Sequence, residues 1–133
     1  MTSASSSYSS HRFIVTAAIS ALLAVAMGAF GAHGLRGQIS EASLAVYRTA
    51  VEYQMWHSLG LGLIGTLIER HPDSPKLRWA AWAMMAGIVL FSGSLYVLSL
   101  TGLRWLGMIT PLGGLSFMLG WALLAFAMSR NKA

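Results

Sequence analysis

Four stretches of the chain carry no Asp, Glu, Lys or Arg: Phe13–Leu35 (23 residues), Tyr53–Ile68 (16), Trp79–Leu103 (25) and Trp105–Ser129 (25). In the hydrocarbon of a bilayer every backbone N–H and C=O must find a partner inside the chain, and about 20 apolar residues of α-helix reach across it. Three of the runs are long enough alone; the second needs residues from its flank. The composition agrees, with 56% hydrophobic and 10% charged residues against about 25% charged in soluble domains. A water-soluble fold and a disordered chain are excluded. The pattern predicts an all-α polytopic membrane protein, four transmembrane helices in a compact bundle forming one domain over residues 13–129.

The segments outside the runs are short. Residues 1–12 are serine-rich and read as a flexible tail, and residues 130–133 as a basic C-terminal end. Arg12 before an apolar stretch, with Ala24-Val25-Ala26 inside it, has some character of a secretory signal, but the uncharged run is longer than the 7–15 residues of a signal core and suits a first span better. Ser40 followed by Glu41 predicts a helix start. From there Leu44, Tyr47, Val51 and Met55 share one helical face while Glu41, Arg48 and Glu52 share another, so residues 41–52 are expected to be a short interfacial amphipathic helix running into the second span. Residues 69–78, with Pro72 and Pro75, form a loop; Ser74-Pro75 opens the third helix and Gly102 ends it.

Nine Lys and Arg face four Asp and Glu, a formal charge of +5. The cations are scattered between apolar runs, too thinly for nucleic acid. They serve as topology signals: with four spans, Arg12, Arg70, Lys76, Arg78, Arg130 and Lys132 fall on one side and Arg36, Arg48 and Arg104 on the other, which predicts both termini in the cytoplasm. The absence of cysteine removes thiolate metal sites, disulfides and cysteine nucleophiles.

Two constellations stand out as candidate sites. His33 lies near the end of the first run and His57 one turn into the second, so antiparallel helices are expected to bring them to the same membrane face, with Glu52 and Tyr53 beside them as a polar cluster. No zinc spacing is visible, and the competing reading is that each residue bonds loop backbone separately. Pro111, with Gly113 and Gly114, predicts a helix break in the fourth span; such breaks expose carbonyls in transporters, but a structural kink healed by Thr110 or Tyr96 is the stronger reading. Gly60-Leu61-Gly62-Leu63-Ile64-Gly65 matches a dinucleotide fingerprint in letters alone, since no strand precedes it. Within a spanning helix it signals close packing, with Ser58, Gly62 and Thr66 forming a small-residue stripe and Leu61 turned to lipid.

Four motifs in order carry a family likeness: Gly28-Ala29-Phe30-Gly31-Ala32-His33-Gly34-Leu35, Thr49-Ala50-Val51-Glu52-Tyr53-Gln54-Met55-Trp56-His57, Leu90-Phe91-Ser92-Gly93-Ser94-Leu95-Tyr96 and Ile109-Thr110-Pro111-Leu112-Gly113-Gly114. They resemble the YgdD/YwdK-type small membrane proteins, catalogued as domain of unknown function number 423. The resemblance covers roughly residues 13–128 and implies a four-span bacterial inner-membrane protein with no established activity, substrate or cofactor. Trp56 stands where a smaller aromatic is expected, and the serine-rich tail is extra.

On this reading the chain is non-enzymatic and cofactor-free, a helix-bundle protein supporting assembly or organisation of membrane components. Its partners are the bilayer and either further copies of itself or other membrane proteins. The alternatives are a small transporter or channel acting as an oligomer, through the Pro111 break, and a haem- or quinone-binding redox subunit, through His33 and His57.

Overall fold

The computed structural model describes residues 2–130, and the side chains of all of these except 2–7 and 9. The helices are α1 (Thr2–His33), α2 (Glu41–Arg70), α3 (Pro75–Gly87), α4 (Ser94–Thr101) and α5 (Thr110–Ser129). A π-helical turn, Ile88–Gly93, joins α3 to α4, and a 3₁₀ segment, Arg104–Met108, leads into α5. These pieces make four rods, and no strand occurs among the described residues. Three of the rods contain stretches long and apolar enough to cross a membrane: Ser10–His33, Pro75–Thr101 and Arg104–Ser129.

Helix ends follow local chemistry. The Ser40 hydroxyl accepts the Ser43 N–H at 3.0 Å, capping α2. Gly102 takes φ +72°, the left-handed conformation that ends α4, and donates its N–H to the Leu98 carbonyl at 2.8 Å. Pro75 opens α3, although Ser74 at the cap position makes no side-chain bond to it.

The flanks that precede the first two spans are both helical. The serine-rich segment is helical, since α1 begins at Thr2; Ser10 is buried, and His11 approaches Glu69 at the end of α2 at 3.3 Å. Beyond Arg130 the basic C-terminal end lies outside the described residues. Residues 41–52 run into the second span without a break. They are the first turns of the continuous α2, and the Leu44 and Tyr47 face is buried beside Leu35, Met27, Val51 and Tyr96. The apolar side of the amphipathic pattern meets protein, while Glu41, Arg48 and Glu52 on the other side are exposed.

The main pairing is α1 against α2, antiparallel over nearly their whole length. Gly31 lies against the Tyr47 ring, Gly28 is 3.4 Å from Val51, Ala17 faces Gly62 and Ile14 faces Gly65, distances measured to a β-carbon built on each glycine. Without a hydrophobic drive between helices in lipid, such close backbone approach is what holds them. The small-residue stripe is displaced from the expected one. At Gly62 an added methyl would meet Ala17 at an ordinary 3.6 Å and Thr66 is exposed, whereas at Gly65 it would lie 2.7 Å from Ile14 Cγ1 and 3.3 Å from the Ile14 backbone nitrogen. Leu61, expected to face lipid, is fully buried in the main core with Phe13, Ile64, Met84 and Phe117. The Gly-rich run is indeed packing surface, Gly60 lying under Trp121.

Stability should therefore discriminate between neighbouring glycines. Gly65→Ala is expected to lower the melting temperature in detergent through about 1–3 kcal/mol of overpacking, and Gly62→Ala to leave it nearly unchanged. Leu61→Ala should cost about 2 kcal/mol or more through the cavity it leaves; equal melting temperatures for the three variants would refute this register.

Candidate functional site

The polar residues of the interior converge where α1, α2 and α4 meet. Gln54, 6% exposed, donates from Nε2 to the Ser20 carbonyl at 3.0 Å and accepts at Oε1 from the Tyr96 hydroxyl at 2.6 Å. The Ser58 hydroxyl lies 2.7 Å from Ser20 Oγ and 2.6 Å from the Gln54 carbonyl. About two turns outward the Tyr47 hydroxyl donates to the Met27 carbonyl at 2.6 Å, and the Tyr47 and Tyr96 rings meet edge to face at 5.2 Å. The Ser92 hydroxyl donates to the Ala50 carbonyl at 2.8 Å. A primary amide in hydrocarbon is costly unless both ends are bonded; here one Gln ties three helices, and among the described residues every buried side-chain nitrogen and oxygen has a partner.

Next to this seam lies an aromatic box. Tyr53 stacks on Phe91 with centroids 4.4 Å apart, and His57 stacks on Phe117 at 3.5 Å and 12°, with Trp121 6.0 Å from the imidazole. His57 Nδ1 lies 2.7 Å from the Tyr53 carbonyl. A carbonyl can only accept, so Nδ1 carries the proton in that bond and Nε2 of the neutral ring is left as an acceptor.

The π-helical turn sets this arrangement. Gly87 packs against the Phe117 ring and Gly113 against the backbone nitrogen of Phe91, each too closely for a β-carbon. The backbones of the third and fourth rods come together at these glycines and again at Gly120, which faces the Ala80 carbonyl. The wider turn of Ile88–Gly93 rephases the rod, so that Phe91 reaches Tyr53 while Ser92 reaches Ala50.

Of the four residues expected to cluster, only Tyr53 and His57 come together. His33 is exposed at the C-terminal end of α1, and Glu52 is exposed beside a shallow cleft of ≈ 180 Å³ with Gly28, Gly31 and Arg48. The pairings Gly31 with Tyr47 and Ser20 with Ser58 put His33 level with about residue 45 of α2, so at 1.5 Å per residue the two imidazoles are separated by about 18 Å along the bundle. The polar cluster is not formed, and a cofactor gripped between His33 and His57 is ruled out with it. The expectation failed because it put the start of the second span at residue 53, whereas α2 and α1 have been paired since the first turn of α2. Among the described residues there is no group of three or more His, Cys, Asp or Glu side chains placed to hold a metal.

The helix break at Pro111, Gly113 and Gly114 is relocated as well. Pro111 stands in the first turn of α5, where a missing N–H leaves nothing unpaired, and the irregular 3₁₀ turn precedes it at Arg104–Met108. Thr110 contributes to the join, its hydroxyl 3.3 Å from the Leu106 carbonyl and 2.7 Å from Ser94 Oγ. Tyr96 is engaged by Gln54 instead. The break therefore opens the fourth rod and does not interrupt its middle. Gly113 acts as the contact for Phe91, and Gly114 lies beside the same ring at 3.9 Å.

Sequence reasoning noted Gln54 and Tyr96 only as neighbours of other candidates. An amide within an uncharged run was the available signal, because it must be satisfied by another helix.

The family described as "Protein of unknown function (DUF423)" matches residues 27–114, a span that contains Gln54, His57, the π-helical turn and Gly113. The chain belongs to this family. It is 50% identical over 115 residues to the UPF0382 membrane protein YwdK of Bacillus subtilis, covering 86% of this chain and 94% of that one. The UPF0382 membrane protein SAB0533 of Staphylococcus aureus is 49% identical over 86% of this chain and 93% of its own length. The UPF0382 membrane protein SH2409 of Staphylococcus haemolyticus is 48% identical over 84% and 90%. No solved structure matches the chain significantly. As a member of this membrane-protein family, the chain carries its helices with the apolar sides outward, as Val89, Met118 and Leu22 show by being about two-thirds exposed.

The polar seam predicts coupling. Tyr96→Phe strands the Gln54 carbonyl oxygen and should lower stability by about 1 kcal/mol. The double variant Tyr96→Phe with Gln54→Leu should cost less than the sum of the two single changes in detergent unfolding; strict additivity would mean the hydrogen bond is not made.

Proposed function

We propose that this chain is a four-span protein of the bacterial cytoplasmic membrane, with both termini in the cytoplasm, that works without catalysis by organising or assembling membrane components, including further copies of itself. The fourth span is α2. Its support is the contact with α1 from Gly31 and Tyr47 at one end to His11 and Glu69 at the other: a helix lying along a spanning helix for that length crosses with it. The orientation rests on the distribution of cations, with Arg12, Arg70, Lys76, Arg78 and Arg130 at one end of the bundle and Arg36, Arg48 and Arg104 at the other.

The observation that carries the non-catalytic reading is the closure of the interior. Gln54, Tyr96, Ser92 and Tyr47 spend their hydrogen bonds on one another and on backbone carbonyls of neighbouring helices, and Ser58 on the Ser20 hydroxyl and the Gln54 carbonyl, as groups that hold a bundle together do. A bundle finished inside acts through its outside. Transport through a break at Pro111 is disfavoured by the position of the 3₁₀ turn at the start of its rod, and the irregular turn at the middle of the third rod is committed to packing, Ser92 on the Ala50 carbonyl and Phe91 on the Tyr53 ring.

Purification in native nanodiscs followed by mass spectrometry is expected to recover a homo-oligomer or a stoichiometric membrane-protein partner. Selective ion or solute flux in sealed liposomes, or a Soret band in the purified protein, would replace this reading. For orientation, a C-terminal reporter pair is expected to signal cytoplasm; a periplasmic signal would reverse the topology.

A further inference from the structure

The end of the bundle that holds the α2–α3 connection carries more positive charge than its own carboxylates can balance. Arg12, Arg70, Lys76, Arg78 and Arg130 are opposed there by Glu69 and Asp73, and Glu69 is engaged with His11. Two of these cations share a cleft. Arg12, at the start of the apolar stretch of α1, and Arg78, in the first turns of α3, line a recess of ≈ 150 Å³ together with Phe13, Thr16, Trp82 and Met85.

The chemistry of the recess changes along its depth. At its outer edge are two guanidinium groups. Arg78 donates one hydrogen bond, from Nη1 to the Pro72 carbonyl at 2.8 Å, which holds the side chain over the cleft and leaves most of its five donors available. Arg12 and the hydroxyl of Thr16 have no hydrogen-bond or ion-pair partner among the described residues. Toward the membrane interior the wall becomes apolar: Phe13 meets Trp82 edge to face at 5.7 Å, and Met85 continues the surface. Trp79 and Trp82, 67% and 57% exposed, stand at the level where aromatic residues mark the headgroup region.

We propose that this cleft is a binding site for an anionic phospholipid, its phosphodiester held between Arg12 and Arg78 with Thr16 donating, and one acyl chain lying along Phe13, Trp82 and Met85. Two guanidinium groups match a phosphate oxyanion, and the apolar wall matches the chain that must follow it. A free phosphate satisfies the first half of the site only. A zwitterionic lipid brings its own cation to a place that already has two. Basic pockets between helices at the cytoplasmic surface are where anionic headgroups are held.

The test is native mass spectrometry of the full chain in a non-ionic detergent, titrated with phosphatidylglycerol or with phosphatidylcholine of the same acyl chains. A saturable one-to-one phosphatidylglycerol adduct is expected. Arg12→Gln and Arg78→Gln should each weaken it about fivefold, the factor that corresponds to about 1 kcal/mol per basic residue at an anionic surface, and the pair more than either alone. Arg12→Lys should keep most of the affinity, and Arg104→Gln, at the opposite end, all of it. Unfolding temperatures measured without lipid confirm that each variant is folded, and Thr16→Val provides a further variant expected to weaken binding without touching charge. Equal binding of phosphatidylcholine, equal loss on Arg104→Gln, or no loss in the double arginine variant would each overturn the site. Displacement of the lipid by millimolar inorganic phosphate would reassign it to a free anion.

Discussion

The close antiparallel contact between α1 and α2 is the constraint on which the rest of the bundle depends. Lipid chains solvate leucine as well as another helix does, so two helices stay together only where their backbones approach or polar groups pair between them. Both occur here. Gly31, Ala24, Ala17 and Gly65 let the rods close up, and Ser20 meets Gln54 and Ser58 midway. Once that register is set, Gln54 presents its carbonyl oxygen to Tyr96 and α2 presents the Ala50 carbonyl to Ser92. The third rod is therefore placed by groups that the first pair has already positioned.

The third rod meets these demands by giving up regular geometry. An unbroken α-helix from Pro75 to Thr101 would rotate Phe91 and Ser92 away from Tyr53 and Ala50. The six-residue π-helical turn supplies the change of phase, and Gly87 and Gly113 supply the room for α5 to lie against it. π-helical turns carry a cost in backbone geometry and persist where surrounding contacts require them. Here the contacts are Ser92 to Ala50, Ser94 to Thr110 and the stacked rings of Tyr53, Phe91, Phe117 and His57. His57, chemically the most versatile group in the spans, is in this way built into the packing, with Nδ1 committed to the Tyr53 carbonyl.

A bundle closed inside leaves its ends and flanks to interact. At one end Arg48 and Glu52 border a shallow cleft beside Gly28 and Gly31. At the other the excess of Arg and Lys lies next to exposed Trp79 and Trp82. The proposed orientation and the proposed lipid site thus rest on the same few cations.

Length and hydropathy were enough to reveal the helical class, the membrane setting, the loop around Pro72 and the ends at Ser40 and Gly102, because each depends on local chemistry: the span of a bilayer, a hydroxyl cap, a left-handed glycine. The four motifs were likewise legible as those of a family. Tertiary structure alone decided what the local patterns were for. The amphipathic face of residues 41–52 looked like one meant for an interface and is buried under α1 and α4. Leu61 looked lipid-facing and is core, and His33 and His57 looked adjacent and are about 18 Å apart along the axis. In an all-apolar helix hydrophobicity does not distinguish the face that meets protein from the face that meets lipid, so register and rotation are set by where glycines admit a neighbour and where Gln54 finds its partners. Neither is a property of one helix; both exist only between helices.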